Sequence, residues 1–279
     1  MIYNINSEYG ELQVVILGNP EKFTEGEQIN EAMRKYYGTD NAPSRSELLT
    51  EYERIKEILM DCKVEVYFPK PTDNVPQQLA PRDIGFVIGN KFFISNMKWR
   101  SRKHEIDQIK YLLANFNGEV IQTPDNVYLE GGNIVIDEKT VYVGIGLRTS
   151  KNAVQFLKNM LGNKYVIVTI FLNHQEEIIH LDAVFNILAG KIAIVYKEGI
   201  MGTLPKKYKY IEIDKTEKDL GACNVLSLNS RDIIIRNKLD RIENLLRNSG
   251  FTMHVVKWDE IKKTGTVGPR CATLPLMRN

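Results

Sequence analysis

The sequence predicts an α/β fold, a five-bladed α/β propeller of pseudo-fivefold ββαβ units. Three observations carry that prediction. A strand hairpin, a helix and a further strand recur along the chain. The two ends hold complementary half-units. Chemistry-bearing residues fall at the same place in unit after unit. Closing the units into a ring removes the unpaired sheet edge that an open array leaves; an open α/β sheet is the competing reading. No shift in composition divides the 279 residues, so they are read as one domain, 1–279.

Leu12 to Leu17 is the first strand, and the polar stretch Thr24 to Ser46 reads as a long loop. A helix from about Ser46 to Met60 and a strand from Lys63 to Phe68 follow, before the proline-rich stretch Pro69 to Gln78. This unit lacks its first strand, which Cys271 to Leu276 could provide from the C-terminus. In the next unit Gly85 to Ile88 and Lys91 to Ser95 flank a Gly89-Asn90 turn. A helix from about Arg102 to Asn115 then places Ile106, Ile109, Leu112 and Leu113 on one face, and Glu119 to Thr123 closes the unit. Asn133 to Ile136 and Thr140 to Gly144 repeat the hairpin around Asp137-Glu138. Ser150 suits the N-cap of a helix to Leu161, and Tyr165 to Phe171 closes. The fourth unit has strands at Ala183 to Leu188, Ile192 to Tyr196 and Tyr208 to Ile213, but Gly199, Gly202 and Pro205 interrupt its helix. The fifth has Asn224 to Leu228 and Asp232 to Arg236, a helix carrying Leu239, Ile242, Leu245 and Leu246, and a strand from Thr252 to Trp258.

Composition excludes several classes. The 37 basic and 35 acidic side chains leave a formal net charge of +2, which offers no basic face for nucleic acid. No apolar run approaches the roughly 18 residues of a membrane span. Met1 to Leu12 has no charged and apolar pattern of a secretory signal. The three cysteines, Cys62, Cys223 and Cys271, are odd in number and widely spaced, which argues against a disulfide framework and for a reducing cytoplasm.

Just before the first strand of each unit stand Asp83, Glu130, His180 with Asp182, Cys223-Asn224, and Cys271. In a closed ring these starts converge on one axis, so a thiol, an imidazole and three carboxylates would share a central cleft. Taken singly, each has a plainer reading. Most free cysteines are small core residues, and His180 could equally be a satisfied surface histidine. Arg270 and the Gly268-Pro269 turn suggest instead an accessible thiol beside positive charge, which lowers a thiol pKa. Cys62, at a helix end, reads as packing, and Asn224 as a backbone anchor. Carboxylates with a thiol suit a planar guanidinium, whose N–H donors match carboxylate forks. The four histidines show no HxH or HxxxH spacing and the cysteines no CxxC, so a metal is a poorer fit, and no cofactor is expected.

These residues lie in stretches that resemble the guanidino-group-modifying superfamily, the penteins, which includes arginine deiminase, arginine dihydrolase, dimethylarginine hydrolase and glycine amidinotransferase. Glu8-Tyr9-Gly10-Glu11-Leu12, Pro81-Arg82-Asp83-Ile84, Trp99-Arg100-Ser101-Arg102 and His180-Leu181-Asp182-Ala183-Val184-Phe185-Asn186 resemble the amidinotransferases. Glu130-Gly131-Gly132-Asn133, Arg148-Thr149, Asn224-Val225-Leu226 and the ending Cys271-Ala272-Thr273-Leu274-Pro275 are similar to the deiminases. The resemblance implies the fivefold propeller independently. It also implies that Cys271 attacks the guanidinium carbon to give a covalent amidino-cysteine. His180 would protonate the departing amine, Glu130 would orient His180, and Asp83 and Asp182 would hold guanidinium nitrogens. Arg102 and Arg148 would grip an α-carboxylate. Three departures stand out. Arg270 replaces a usual His, Gly268-Pro269 stands for a glycine triplet, and Asn133 replaces an Asp. Asp83 sits where the dihydrolase branch carries Asn.

The expectation is a hydrolase of deiminase type, giving citrulline or an analogue plus ammonia from arginine or a related guanidine. An amidinotransferase shares every step up to the covalent intermediate and is the alternative; a non-catalytic guanidine-binding module is a third. The expected partner is a small guanidino compound. No nucleic acid or membrane partner is expected, and a homo-oligomer is left open.

Overall fold

In the computed structural model, which describes residues 1–75, 78–174 and 178–279, five small sheets are built to one plan. The expected stretch Pro69 to Gln78 therefore lies partly outside the described residues. The chain runs through β1 (Leu12–Leu17), α1 (Glu31–Tyr36), α2 (Arg45–Asp61) and β2 (Glu65–Tyr67). Then come β3 (Gly85–Ile88), β4 (Lys91–Ile94), α3 (Lys110–Leu113) and β5 (Glu119–Gln122). Next are β6 (Ile134–Asp137), β7 (Thr140–Ile145), α4 (Asn152–Leu161) and β8 (Val166–Leu172). β9 (Phe185–Leu188), β10 (Ile192–Val195), β11 (Ile200–Met201), β12 (Lys209–Glu212) and α5 (Lys215–Asp219) follow. The chain ends with β13 (Leu226–Ser227), β14 (Asp232–Arg236), α6 (Asp240–Asn248), β15 (Thr252–Val256) and β16 (Thr273–Arg278).

In every sheet the middle strand pairs antiparallel on one side and parallel on the other. β4 does so between β3 and β5, β7 between β6 and β8, β10 between β9 and β12, and β14 between β13 and β15. The fifth sheet joins the ends of the chain. β1 runs antiparallel to β16, with Leu17 opposite Thr273, and parallel to β2, with Val14 opposite Glu65. The strand missing from the first unit thus comes from the C-terminus, as the pattern predicted. The fold is mixed α/β. Central strands are buried on both faces and read as continuous apolar runs, as Ile233–Ile235 shows. Three apolar clusters fill the space between sheets and helices, and Phe86 stacks on Phe93 at 5.0 Å within one of them.

Three elements differ from expectation. No single helix spans Arg102 to Asn115. Tight 3₁₀ turns at Arg100–Arg102 and Glu105–Gln108 precede the short α3. The predicted apolar face is buried nonetheless, with Ile109 and Leu112 inside. The Arg102–Glu105 ion pair, buried at both ends, spans three residues and matches the 3₁₀ period, where i and i+3 eclipse. The Thr24 to Ser46 stretch is not all loop. α1 lies in it, with Asn30 as N-cap accepting from Met33 N at 2.9 Å and Met33 buried. α4 begins at Asn152 with Lys151 as its N-cap, one residue later than Ser150 predicted. The doubtful fourth helix is absent, and β11 pairs with β8 there instead.

Candidate functional site

The strand starts hold the predicted residues where a repeated unit places them. Asp83 lies two residues before β3, Glu130 four before β6, Asp182 three before β9, Asn224 two before β13 and Cys271 two before β16. Asp83, His180, Asp182 and Cys271 line one cavity of about 660 Å³, together with Arg102 and Arg148. Asp83, Glu130, Arg102, Arg148, His180, Asp182 and Cys271 are all buried. A larger groove of about 1140 Å³ elsewhere, edged by Tyr9, Lys139 and Arg231, contains none of them.

On the imidazole side, His180 Nε2 meets Glu130 Oε2 at 2.8 Å, and Nδ1 lies 3.5 Å from Asp83 Oδ1. Glu130 Oε1 accepts from Lys98 N at 3.0 Å, and Arg148 Nη1 donates to its other oxygen at 3.3 Å. Burial works against a charged imidazole, yet Asp83 and Glu130 outweigh it and raise the His180 pKa. Burial likewise opposes the Glu130 carboxylate, and His180 and Arg148 overcome it, so its pKa falls. Gly132 is required at this wall, because a Cβ there would sit 2.7 Å from the His180 ring. Arg102 spends its donors on Asp83 Oδ2 at 2.6 Å, on Glu105 at 2.7 and 2.9 Å, and on the Ala80 carbonyl. Arg148 makes longer bonds, to Glu130 and at 3.4 Å to the Ile29 carbonyl, and stands 5.7 Å over the Trp99 ring.

On the thiol side, Cys271 N donates to Asn224 Oδ1 at 2.8 Å, so Asn224 anchors backbone as expected. Cys271 Sγ lies 3.9 Å from Asp182 Oδ2, the oxygen that accepts from Arg270 Nη1 at 2.7 Å. The expected accessible thiol of lowered pKa is corrected here. Burial pushes the Cys271 thiol well above its ordinary value, Asp182 and Asp83 add to it, and Arg270 with Asn224 does not reverse it. The charge of Arg270 is already shared between Asp182 and Glu8, at 2.7 and 2.9 Å. Asp83 Oδ1 and Asp182 Oδ1 have no hydrogen-bond partner among the described residues.

Asp83, Glu130 and His180 bring ligand-type atoms within 4.8 Å of one another. Arg102 pairs with Asp83 Oδ2 and Arg148 with Glu130 Oε2 in the same cluster.

A family model described as N,N dimethylarginine dimethylhydrolase, eukaryotic, matches residues 19–278. The chain belongs to the N,N-dimethylarginine dimethylhydrolase family. It is a guanidino-group-modifying enzyme of the pentein superfamily. A Bacillus subtilis protein, YkgA, itself uncharacterized, is 35% identical over 98% of this chain and 94% of its own length. The arginine deiminase of Limosilactobacillus reuteri is 23% identical over 84% of this chain and 68% of its own. Among solved structures, SxtG, an amidinotransferase of Microseira wollei from the saxitoxin biosynthetic pathway, superposes with a TM-score of 0.84 at 19% identity, covering 99% of this chain and 97% of its own. The N-terminal domain of ArgZ, a cyanobacterial arginine dihydrolase, gives 0.85 at 21% identity, covering 96% and 98%. These last two speak for the fold.

Two of the three departures from the deiminase and amidinotransferase pattern have structural accounts. Asn133 accepts from Leu181 N at 2.9 Å and donates to Thr149 Oγ1 at 2.9 Å, so it needs a donor as well as an acceptor, which an aspartate lacks. It thereby holds the turn that carries His180 and Asp182. Arg270 is a buried cation that contacts Asp182, Glu8 and the Ile134 carbonyl. Sequence reasoning missed Glu105, Thr149 and Glu8 as supports of the site. It also missed α1, whose Asn30 and Met33 line the cavity. Glu105 stands three residues beyond Arg102, a spacing that could have flagged it.

Proposed function

We propose that the protein is a cysteine-dependent hydrolase of guanidines, deiminase-like, working on arginine or a related guanidino compound through a covalent amidino-cysteine. The single observation that carries this reading is a pair of buried oxygens that accept no hydrogen bond among the described residues, Asp83 Oδ1, which lies 3.5 Å from His180 Nδ1, and Asp182 Oδ1, on residues that line the same cavity as Cys271 and His180. A planar cation with N–H donors satisfies both. Its arrival also offsets the two negative charges that add to burial in raising the thiol pKa, so binding itself favours the thiolate, and the proton leaves to solvent.

The Cys271 thiolate then adds to the guanidinium carbon, forming a C–S bond. The raised pKa of His180 keeps it an imidazolium, able to give its proton to the departing nitrogen as the C–N bond breaks. Neutral His180 next takes a proton from water. The hydroxide adds to the amidino carbon, the C–S bond breaks, and a ureido product leaves the thiol restored. Glu130 holds His180 in register. Arg148, whose two hydrogen bonds are long, is the proposed grip on a substrate carboxylate. Arg102 is assigned to holding Asp83 instead. The same reading treats the five sheets as blades of a ring about the cavity, to which three strand starts send Asp83, His180 with Asp182, and Cys271.

The test is the mass of the protein after brief exposure to arginine and an acid quench. The expected result is an amidino group on Cys271, absent in Cys271→Ser, with ammonia released in buffer that holds no other amine. Steady turnover by Cys271→Ser would overturn the mechanism. An adduct that persists until an amine is added would point to amidino transfer, and methylamine release from N-methylated arginine would extend the leaving group.

A further inference from the structure

Arg270, the residue before the thiol, is a buried cation, and its surroundings give it work. Arg270 is 1% exposed. Nη1 donates to Asp182 Oδ2 at 2.7 Å, while Nη2 donates to Glu8 Oε1 at 2.9 Å and to the Ile134 carbonyl at 2.8 Å. Glu8 is itself fixed, because Oε1 also accepts from Ile136 N at 3.1 Å. So Arg270 is held from behind and presents one N–H to Asp182. It takes the carboxylate oxygen next to Cys271 Sγ and leaves Oδ1 without a partner.

We propose that Arg270 is a positioning residue for guanidinium binding: backed by Glu8, it tethers Asp182 through Oδ2 and keeps it an anion with Oδ1 turned over to the ligand. The proposal deepens the site reading above and rests on it. Burial alone pushes Asp182 toward its neutral acid. A neutral Asp182 loses its charge-assisted bond to a cation. The charged and titratable groups that face it are Arg270 and Cys271 from the C-terminal segment, His180 from its own turn, and Asp83 and Arg82 from the segment before β3. Arg270 is the one among them in hydrogen-bond contact with the carboxylate as a cation. Glu8 competes with Asp182 for that cation, which gives the idea a signed test.

The measurement is the dissociation constant of L-arginine, by calorimetry from pH 5 to 9, in the full chain carrying Cys271→Ser so that nothing turns over. The thiol and its titration are then absent. Titration of His180 is common to all variants and cancels in ratios. Adding Arg270→Gln should weaken binding about tenfold at neutral pH, shift the acid limb of the profile upward, and let the two proteins converge at the alkaline end. Arg270→Lys should recover part of the loss, since an ammonium keeps the charge but not the fork. Glu8→Gln should shift the acid limb the other way, downward, because Asp182 then has Arg270 to itself. A merely structural role would weaken all variants without moving the limb. A ratio of constants independent of pH, or limbs of Arg270→Gln and Glu8→Gln that move in the same direction, would overturn the proposal. If Arg270→Gln does not fold, the sign of the Glu8→Gln shift decides alone. The thiol plays no part in this measurement, so failure to trap an amidino-cysteine and failure here are separate outcomes.

Discussion

Asp83 and Asp182 each tie one carboxylate oxygen to a buried arginine, and each of those arginines is tied in turn to a buried glutamate. The first set is Asp83, Arg102 and Glu105; the second is Asp182, Arg270 and Glu8. Their charge states differ. Burial opposes ionisation in both, but His180 and Arg102 outweigh it at Asp83 and lower that pKa, whereas Asp182 ends raised despite Arg270 and His180. His180 sits 3.5 Å from Asp83, and Asp83 itself repels charge on Asp182. The imidazole wall thus holds its carboxylate as an anion through His180 and Arg102 and still leaves Asp83 Oδ1 without a hydrogen bond. The thiol wall is left short of positive charge, and a guanidinium supplies it. Similar local parts leave Asp83 the stronger acid and Asp182 the weaker one, because their surroundings differ.

The largest expected effect tests that contrast directly. Asp83→Asn and Asp182→Asn should each lower kcat/KM for arginine by about 10²–10³-fold, the cost of removing one partner of a buried charge pair. Asp83→Asn should also move the alkaline limb of the pH–rate profile down toward 6.5, the ordinary histidine value, and further than Asp182→Asn does, since Asp83 is the largest of the influences that raise His180 and Asp182 a smaller one. Superimposable profiles for the two variants would break the comparison. A smaller effect concerns the imidazole wall alone. Glu105→Gln strips Arg102 of its bidentate partner and should cost about 3–5 kcal/mol, read as a lower urea midpoint with an unchanged slope. An unchanged midpoint would mean that Glu105 does not hold this wall. The smallest expected effect is at the cavity edge. Arg148→Ala should raise KM for arginine roughly tenfold more than for agmatine, which lacks a carboxylate. Equal increases would move the carboxylate site away from Arg148.

Much of the architecture was legible because strands announce themselves locally. The runs Leu12–Leu17, Gly85–Ile88 and Asp232–Arg236 have the bounds that alternation and turn residues gave them. The position of Asp83, Glu130, His180, Asp182 and Cys271 before their strands is a property of sequence order, and they share a site because the unit repeats. The stretch after Arg102 was misread as one helix because its apolar spacing fits 3.6 residues per turn, while buried ion pairs that spacing does not register hold it in 3₁₀ turns.

The sequence by itself determined which chemical groups are present and which turn of which unit carries each. Only the tertiary structure decided their partners. Arg270 meets Glu8 from 262 positions away and Asp182 from 88, and no local pattern records such pairings. The physical reason is that ionisation of a buried group depends on the charges within a few ångströms and on lost water, and both are set by the packing of distant segments. An arginine beside a cysteine in sequence suggested an activated thiol. In space its charge is spent on two carboxylates, and the thiol stays protonated.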